Sequence, residues 1–344
     1  MNRKRFQTIA DRYPLLRIAV VGDFCLDRYL EIDPARQEIS IETGLPVHNV
    51  VHVRSQPGAA GTILNNLVAL GIGELFPVGF AGQDGEGFEL RRALGQKPGV
   101  NLDFFIETSE RRTFTYCKPL VLEPGKPPLE LSRLDSKNWS PTPEGVQDRI
   151  IRSVHELTGR VDAIILMDQV DVPETGVVTA RLLQGVKEIA GDRLDLLILA
   201  DSRSGLRGYP PVCLKMNSAE LSSLTGTAPK RGVEEVGKTA ARLAADQGRN
   251  VFITLSEQGM VGASPSGAVE HVPALPVRGE IDVVGAGDAV TANLAASLAA
   301  GAGLRESLEI ANVAASLVLH QLGTTGTAST LQIGQLLADF GPSS

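Results

Sequence analysis

The chain has 344 residues, of which 43% are hydrophobic and 21% charged, and its formal net charge is -7. These values are ordinary for a globular protein, and the negative balance argues against a general nucleic-acid surface. No apolar run reaches the length of a membrane span, and residues 11–14 (Asp-Arg-Tyr-Pro) stand where a signal peptide needs an apolar stretch. Three isolated cysteines, Cys25, Cys117 and Cys213, argue against a disulfide framework or a structural zinc. We therefore expect a cytoplasmic protein without nucleic-acid or membrane partners.

The first predicted strand is the apolar run at residues 17–22, which ends in glycine as buried parallel strands often do. Asp23 and Asp27 follow it, beyond the strand end where ligands bind in open α/β sheets. Carboxylates there can accept hydrogen bonds from the hydroxyl groups of a polyol, although turn chemistry explains Asp23 equally well. Two further strands are expected near residues 29–32 and 46–54.

A glycine-rich turn at residues 57–61 leads into a predicted helix that ends at Gly71. Residues 101–106 and 113–122 are predicted strands, and with residues 29–56 they would form a small β lid. The expected lid boundaries are about 28–56 and 100–134. Lys118 and Arg133 fall in the second part, either on a solvated strand face or at a ligand.

Helices and strands alternate from residue 142 onward, with helices predicted at 144–157 and 175–189 and strands at 162–167 and 194–200. This alternation predicts an α/β fold with a mostly parallel central sheet between two layers of helices. Asn217 and Glu220 have the spacing of a helix N-terminal capping arrangement. Another strand begins at Val251.

The segment Gly285, Ala286 and Gly287 precedes an Ala- and Leu-rich helix that Gly301 would end. The free backbone N–H groups of the first helical turn would make an anion site there. Asp288 lies at its mouth and has two compatible interpretations, a helix cap or a catalytic base beside a site of phosphate transfer. Under either one, we expect the helix dipole to lower the pKa of Asp288.

Two motifs resemble the signatures of the ribokinase (PfkB) family of sugar kinases. Residues 282–288, Asp-Val-Val-Gly-Ala-Gly-Asp, are similar to the second signature, usually Asp-Thr-Thr-Gly-Ala-Gly-Asp. Residues 57–65 are similar to the first signature, although Gly61 replaces an Asn that usually touches the sugar. The resemblance covers about residues 17–335. It implies one ribokinase-like domain over 1–344, with a small β-sheet lid.

The resemblance also implies roles for individual residues. Asp288 would be the catalytic base, and the segment 285–287 would hold the transferring phosphoryl group. The implied substrate contacts are Asp23, Asp27, Gly58, Ala59, Asn65, Lys118 and Arg133. The implied nucleotide contacts are Asn217, Glu220, Thr254, Ser256, Glu257, Gly259 and Asn312. ATP and Mg²⁺ would be the cofactors, with Mg²⁺ near Glu220 through water. A monovalent cation nearby is also implied, and Val283 and Val284 replace two hydroxyl residues at this place.

Within the family, the chain is most similar to the bacterial kinases that phosphorylate D-glycero-D-manno-heptose 7-phosphate. The shared segments include residues 133–135 (Arg-Leu-Asp) and 256–260 (Ser-Glu-Gln-Gly-Met). Glu38 stands where those kinases tend to have Arg, and Ser202 and Arg203 replace a Pro-Lys pair. These departures weaken the expectation of a phosphorylated substrate.

The leading hypothesis is therefore an ATP-dependent kinase for a sugar or sugar phosphate, forming a homodimer through its lid. The alternative is a nucleotide- or sugar-binding regulator that has lost turnover, motivated by the changed first signature and the two valines. A dehydrogenase would need Gly-x-Gly-x-x-Gly after the first strand, and the segment beginning Gly22-Asp23 does not supply it.

Overall fold

The computed structural model describes residues 1–227 and 232–340. Its strands, in chain order, are β1 (Arg17–Gly22), β2 (Phe24–Ile32), β3 (Glu38–Ile39), β4 (Pro46–Val47), β5 (Val50–Ala59), β6 (Glu74–Gly82), β7 (Phe105–Thr108), β8 (Phe114–Val121), β9 (Leu129–Glu130), β10 (Leu134–Ser136), β11 (Ala163–Asp168), β12 (Leu197–Ser202), β13 (Cys213–Asn217), β14 (Val251–Thr254), β15 (Met260–Ala263) and β16 (Val269–Val272).

The α-helices of the described residues are α1 (Arg3–Ala10), α2 (Ala60–Leu70), α3 (Gly85–Gly95), α4 (Glu144–Leu157), α5 (Ala180–Asp192), α6 (Ser218–Thr225), α7 (Val233–Gln247), α8 (Ala286–Ala299), α9 (Leu304–Leu319) and α10 (Thr330–Phe340). No helix in this part of the chain is long and apolar enough to cross a membrane.

The larger sheet has nine strands in the order β16-β15-β14-β13-β12-β11-β1-β6-β7. The strands from β14 to β7 pair in parallel, and β15 and β16 add an antiparallel edge. Parallel strands are joined by crossover helices that cover both faces of the sheet, which is why the central strands are apolar throughout. In β11, all six residues are buried.

The hydrophobic core lies in two clusters, one on each face of this sheet. Ile18 and Val20 of β1 belong to the cluster under α2, α8 and α9. Ala19 and Val21, between them, belong to the cluster under α4 and α5. Successive side chains of a strand point to opposite faces, so one short strand anchors both halves of the core. This arrangement confirms the predicted three-layer α/β/α fold.

The smaller sheet forms the lid and has the strand order β10-β8-β2-β5, with β9 paired to β8. β2 pairs with β8 in parallel and with β5 in antiparallel register. Only Asp23 separates β1 of the large sheet from β2 of the small one, so the chain passes directly between the sheets. β3 and β4 form a separate two-stranded hairpin.

The prediction that residues 101–106 form a lid strand is wrong. The strand in this region is β7, and it pairs in parallel with β6 at the edge of the large sheet. β6, α3 and β7 form a strand–helix–strand crossover, the connection that parallel neighbours require. A short apolar segment does not reveal which sheet it joins, and this one takes the place beside its own crossover helix. The lid contribution of this region comes from β8, β9 and β10.

Helix boundaries agree with the predictions where a cap or stop residue is clear. The helix at residues 144–157 is found as α4, and α2 ends at Gly71, whose φ of 81° is left-handed. α5 begins at Ala180 instead of residue 175, because the Thr179 side chain accepts a hydrogen bond from the Leu182 amide and caps the helix there.

Candidate active site

The N-terminus of α8 lies beyond the carboxyl ends of the parallel strands. Gly285 is its N-cap residue, with a left-handed φ of 81°, and the helix starts at Ala286. A Cβ at position 287 would lie 3.3 Å from the Lys215 ammonium, so the absence of a side chain lets this cation approach the helix end. The first-turn N–H groups and the positive end of the dipole make this a favourable place for an anion.

Asp288 is the third residue of α8, and the cap position belongs to Gly285. The expectation of a lowered pKa is wrong for this environment. Burial of its carboxyl group and the nearby Asp201 raise the pKa of Asp288 to about 7, against the opposing effect of Lys215. Desolvation and the Asp201 charge therefore outweigh the effect of Lys215. A carboxylate with this pKa is a stronger base than an ordinary aspartate near neutral pH.

Lys215 is a site residue that sequence reasoning missed. Its ammonium is buried and lies 2.7 Å from Oδ2 of Asp201, which also accepts a hydrogen bond from the Thr291 hydroxyl in α8. Burial acts to lower the pKa of Lys215, but the adjacent Asp201 carboxylate outweighs it and keeps the group charged. A lysine in the third position of the apolar strand β13 was the available signal, because an unpaired charge is rarely buried.

A cavity of about 380 Å³ lies between the lid and the large sheet, on one side of the α8 N-terminus. Of the predicted substrate contacts, Asp27, Ala59, Lys118 and Arg133 line it, together with Gly285 and Asp288 from α8. Asp27 is only 5% exposed, and its Oδ1 lies 3.8 Å from the Lys118 ammonium. Burial raises the pKa of Asp27, and Lys118 and Arg133 oppose that rise.

Four cationic side chains line this cavity, two of which, Lys137 and Arg203, sequence reasoning did not select. Both contact Asp171, with Lys137 at 2.7 Å and Arg203 at 3.5 Å. Arg133 forms an ion pair with Asp135 at 2.9 Å. Lys137 and Arg203 come from different elements, the end of the lid and the loop after β12. Their common location could not be deduced from sequence spacing.

Three predicted substrate residues lie behind the cavity and do not line it. The Asp23 carboxylate is buried and accepts hydrogen bonds from the backbone amides of Gln169 and Val177, at 2.8 and 2.7 Å. Burial, with repulsion from Asp168, raises the pKa of Asp23 to about 7. The Asn65 amide donates to the Pro57 carbonyl. A Cβ at Gly58 would lie 2.6 Å from Oδ2 of Asp27, so glycine permits Asp27 to occupy its position.

A second cavity, of about 660 Å³, lies on the other side of the α8 N-terminus. Five predicted nucleotide contacts line it: Thr254, Ser256, Glu257, Gly259 and Asn312. Ala286 and Gly287 also line it, while Gly285 and Asp288 line the first cavity. The remaining wall is largely apolar and includes Leu275, Val277, Ile281 and Leu319. An apolar cleft with a few polar groups is the usual form of a site for a flat organic ligand.

Asn217 and Glu220 form the predicted capping box at the start of α6. The Asn217 side chain accepts from the amides of Ala219 and Glu220, and Glu220 Oε2 accepts from the Asn217 amide at 2.7 Å. Burial raises the pKa of Glu220, and the negative charge of Asp201 adds to that rise. The hydrogen bond from the Asn217 amide and the positive charge of Lys215 oppose it. Neither residue lines the two cavities. Among the described residues, no group of three or more His, Cys, Asp or Glu side chains is arranged to hold a metal ion.

The fold is similar to that of ribokinase-like kinases. The family model "pfkB family carbohydrate kinase" matches residues 166–331. The ribokinase of Arabidopsis thaliana, complexed with ribose and ATP, is similar in structure with a TM-score of 0.67 and 20% identity, covering 94% of this chain and 98% of that one. Phosphofructokinase-2 of Escherichia coli, in complex with substrates and products, gives a TM-score of 0.71 and 18% identity, covering 95% and 100%.

Curated relatives extend the similarity to nearly the whole sequence. The bifunctional protein HldE of Gluconacetobacter diazotrophicus is 29% identical over 325 residues, which is 94% of this chain and 64% of the relative. That of Pelobacter propionicus is 31% identical over 330 residues, covering 95% and 64%. The chain thus spans slightly under two thirds of the length of these relatives. Together these findings confirm the resemblance to the pfkB family of carbohydrate kinases.

Proposed function

We propose that the protein is an ATP-dependent kinase that phosphorylates a hydroxyl group of a sugar or sugar phosphate. The observation that carries this proposal is the position of the α8 N-terminus between two cavities. Asp288 faces the cavity lined by charged side chains, and Gly287 faces the largely apolar one. A sugar in the first and ATP in the second would bring an acceptor hydroxyl and a terminal phosphate to the same helix end.

In the proposed reaction, the sugar hydroxyl oxygen attacks the γ-phosphorus of ATP while its proton passes to Asp288. The bond from the γ-phosphorus to the bridging oxygen breaks, and ADP leaves. The amides at Gly285, Ala286 and Gly287 hold the transferring group, for which the Ala286 amide gives up its 3.3 Å hydrogen bond to the Val283 carbonyl, and Lys215 adds positive charge beside it. Phosphoryl transfer depends mainly on such positioning and charge neutralisation, which supports these assignments.

The apolar cavity suits the base of ATP, with Thr254, Ser256, Glu257, Gly259 and Asn312 as its polar contacts. Mg²⁺, when bound, neutralises phosphate charge. Glu220 would hold it through water, because one of its oxygens is used by the Asn217 amide and the other remains for a hydration water. A monovalent cation near the loop of Val283 and Val284 is a further expectation, tested by replacing potassium with choline in the assay.

On the substrate side, Asp27 would accept hydrogen bonds from sugar hydroxyls, with Lys118 and Arg133 beside it. Ala59 would form part of the wall, while Asp23, Gly58 and Asn65 would hold that wall in place from behind. Lys118, Arg133, Lys137 and Arg203 line one cavity, where each is paired with a carboxylate, Asp27, Asp135 or Asp171. Exchange of these partners for a phosphate would favour an acceptor that already carries one, of which heptose 7-phosphate is the candidate. Arg203 lines this cavity, so the replacement of the Pro-Lys pair by Ser202 and Arg203 keeps a positive charge there.

We also propose a cytoplasmic homodimer assembled through the lid. β5 and β10 are the edges of the small sheet, and exposed apolar side chains lie on and near it, including Ile41, Val51, Val53 and Leu134. Open strand edges and exposed apolar side chains favour pairing with a second copy.

A screen of sugars and sugar phosphates for ATP-dependent ADP release tests the proposed function. We expect release with at least one phosphorylated sugar and none with the Asp288→Asn variant under the same conditions. ATP binding measured by calorimetry without turnover on any acceptor would instead favour the regulator of the same fold. Equal release by the wild type and the variant would remove Asp288 from the reaction.

A further inference from the structure

The loop at residues 273–285, between β16 and α8, forms one wall of the larger cavity. Leu275, Val277, Ile281 and Val283 from this loop line it. Leu275 packs against the core, whereas Val277 and Val283 are 58% and 70% exposed. Core packing therefore holds only the first part of the loop, and the position of the rest depends on polar contacts.

Four hydrogen bonds join the loop to α9 and the residues that follow it. Near the start of the loop, the Asn312 side chain donates to the Pro273 carbonyl at 2.8 Å. Near its end, the Asp282 amide donates to the Leu319 carbonyl at 2.8 Å, and the Gly323 amide donates to Asp282 Oδ2 at 3.2 Å. Between these two points, His320 Nε2 accepts from the Arg278 amide at 2.9 Å.

The hydrogen bonds of His320 indicate which tautomer of the ring is present. Its Nδ1 lies 2.7 Å from the Ser316 carbonyl, which can only accept, so Nδ1 carries the hydrogen. Nε2 must then be the unprotonated nitrogen, because it accepts from the Arg278 amide. The ring thus links the last turn of α9 to the middle of the loop, and it also lines the cavity.

We propose that His320 is a positioning residue for the nucleotide. It holds the loop at the distance from α9 that lets the adenine base of ATP enter the larger cavity. It acts through the Arg278 amide and takes no part in phosphoryl transfer. The inference rests on the proposed function for the identity of the ligand. It predicts an effect confined to the nucleotide side, because His320 does not line the sugar cavity.

Two substitutions test this role. In His320→Gln, the side-chain amide can donate to the Ser316 carbonyl and accept from the Arg278 amide, since its nitrogen and oxygen are spaced like the two ring nitrogens. In His320→Leu, both hydrogen bonds are lost at similar volume. We expect His320→Leu to raise the KM for ATP and the Kd of a non-hydrolysable ATP analogue about three- to tenfold. We expect kcat and the KM for the sugar to stay within about twofold, and His320→Gln to restore the wild-type values.

His155→Leu is the matched control, because His155 lies exposed on α4 and lines neither cavity. Thermal unfolding of all variants separates a folding defect from a binding defect. Equal nucleotide affinity in His320→Leu and the wild type would overturn the inference while leaving the proposed function intact. A fall in kcat at unchanged KM for ATP, or a failure of His320→Gln to restore affinity, would also overturn it. A wild-type protein that binds no nucleotide would overturn both proposals.

Discussion

Asp288 combines two influences that act in opposite directions on one carboxyl group. The helix N-terminus favours its ionised form, while burial and Asp201 favour the protonated form and prevail. A pKa near 7 places the group where it can take a proton during the reaction and give it up afterwards. Lys215, on the other side of Asp201, keeps a positive charge beside the helix end.

Asp288→Asn should leave the fold and ATP binding unchanged and reduce kcat by about a hundredfold or more, because an amide cannot accept the proton. Steady-state kinetics and calorimetric titration with ATP measure the two effects. In the wild type, kcat/KM should fall about tenfold per pH unit below pH 7, since protonated Asp288 cannot act as a base.

The same acid limb should be absent from whatever activity Asp288→Asn retains. Near wild-type turnover in the variant, or an unchanged acid limb, would contradict the assignment of Asp288 as the base.

Asp27→Ala should weaken sugar binding by two orders of magnitude or more while sparing ATP binding. A buried carboxylate can accept from two neighbouring hydroxyls, and each charge-assisted hydrogen bond contributes about 1.5–3 kcal/mol. Calorimetry with ATP and with the best acceptor separates the two effects. Unchanged sugar affinity would place the sugar elsewhere and leave Asp27 as a partner of Lys118 only.

Among the secondary-structure elements, those that begin and end at clear capping residues were predictable from sequence. Gly71 marks the end of α2 and Gly285 marks the beginning of α8, because the left-handed backbone at both positions favours glycine. The capping box of α6 follows from the three-residue spacing of Asn217 and Glu220. These signals are local, so a single sequence contains all the information that they need.

Contacts between distant segments were not predictable in this way. The placement of β7 depends on which edge of the large sheet is open after α3. Lys137 and Arg203 line the same cavity because the lid lies over the loop after β12. His320 contacts a backbone amide 42 residues away, which leaves no pattern in the sequence. Burial likewise reversed the expected pKa shift of Asp288, because desolvation is a property of the folded surroundings.

Asn217→Ala should lower the free energy of unfolding by about 0.5–2 kcal/mol, because two amides at the start of α6 lose their acceptor. The midpoint of urea denaturation measures the change. Asn217→Asp is the control, since a carboxylate can cap the same amides and should keep most of the stability. Equal midpoints for the alanine variant and the wild type would show that water replaces the Asn217 side chain as the cap without loss of stability.

For the molecule as a whole, the unusual surface is that of the lid, whose exposed apolar residues contrast with a chain of net charge -7. A sheet of a few short strands has little stability alone. Arg28 and Ser55 bond to Glu89 of α3 on the face away from Asp27, whereas residues 50–54 of β5 remain exposed. Association through the lid would cover this exposed part and protect the strand edges.

Sedimentation at micromolar concentration should therefore show a dimer, and Val53→Glu should convert it to a monomer by placing a charge in the proposed interface. Leu194→Glu is the matched control, because Leu194 is equally apolar and 72% exposed but lies between α5 and β12, away from the lid. A wild-type protein that remains monomeric, or equal effects of the two variants, would contradict assembly through the lid.

The single residue between β1 and β2 has a mechanical consequence for the whole molecule. Asp23 is held by its side chain to the Gln169 and Val177 amides, and its carbonyl accepts from the Ala60 amide at 3.0 Å. A swing of the small sheet would therefore turn about this end of β2, close to the Ala59–Ala60 junction where β5 passes into α2. Displacement grows with distance from a pivot. The far ends of β2 and β5 would therefore move most when an acceptor enters or a product leaves, while Asp27, four residues from the pivot, would stay nearly fixed relative to Asp288.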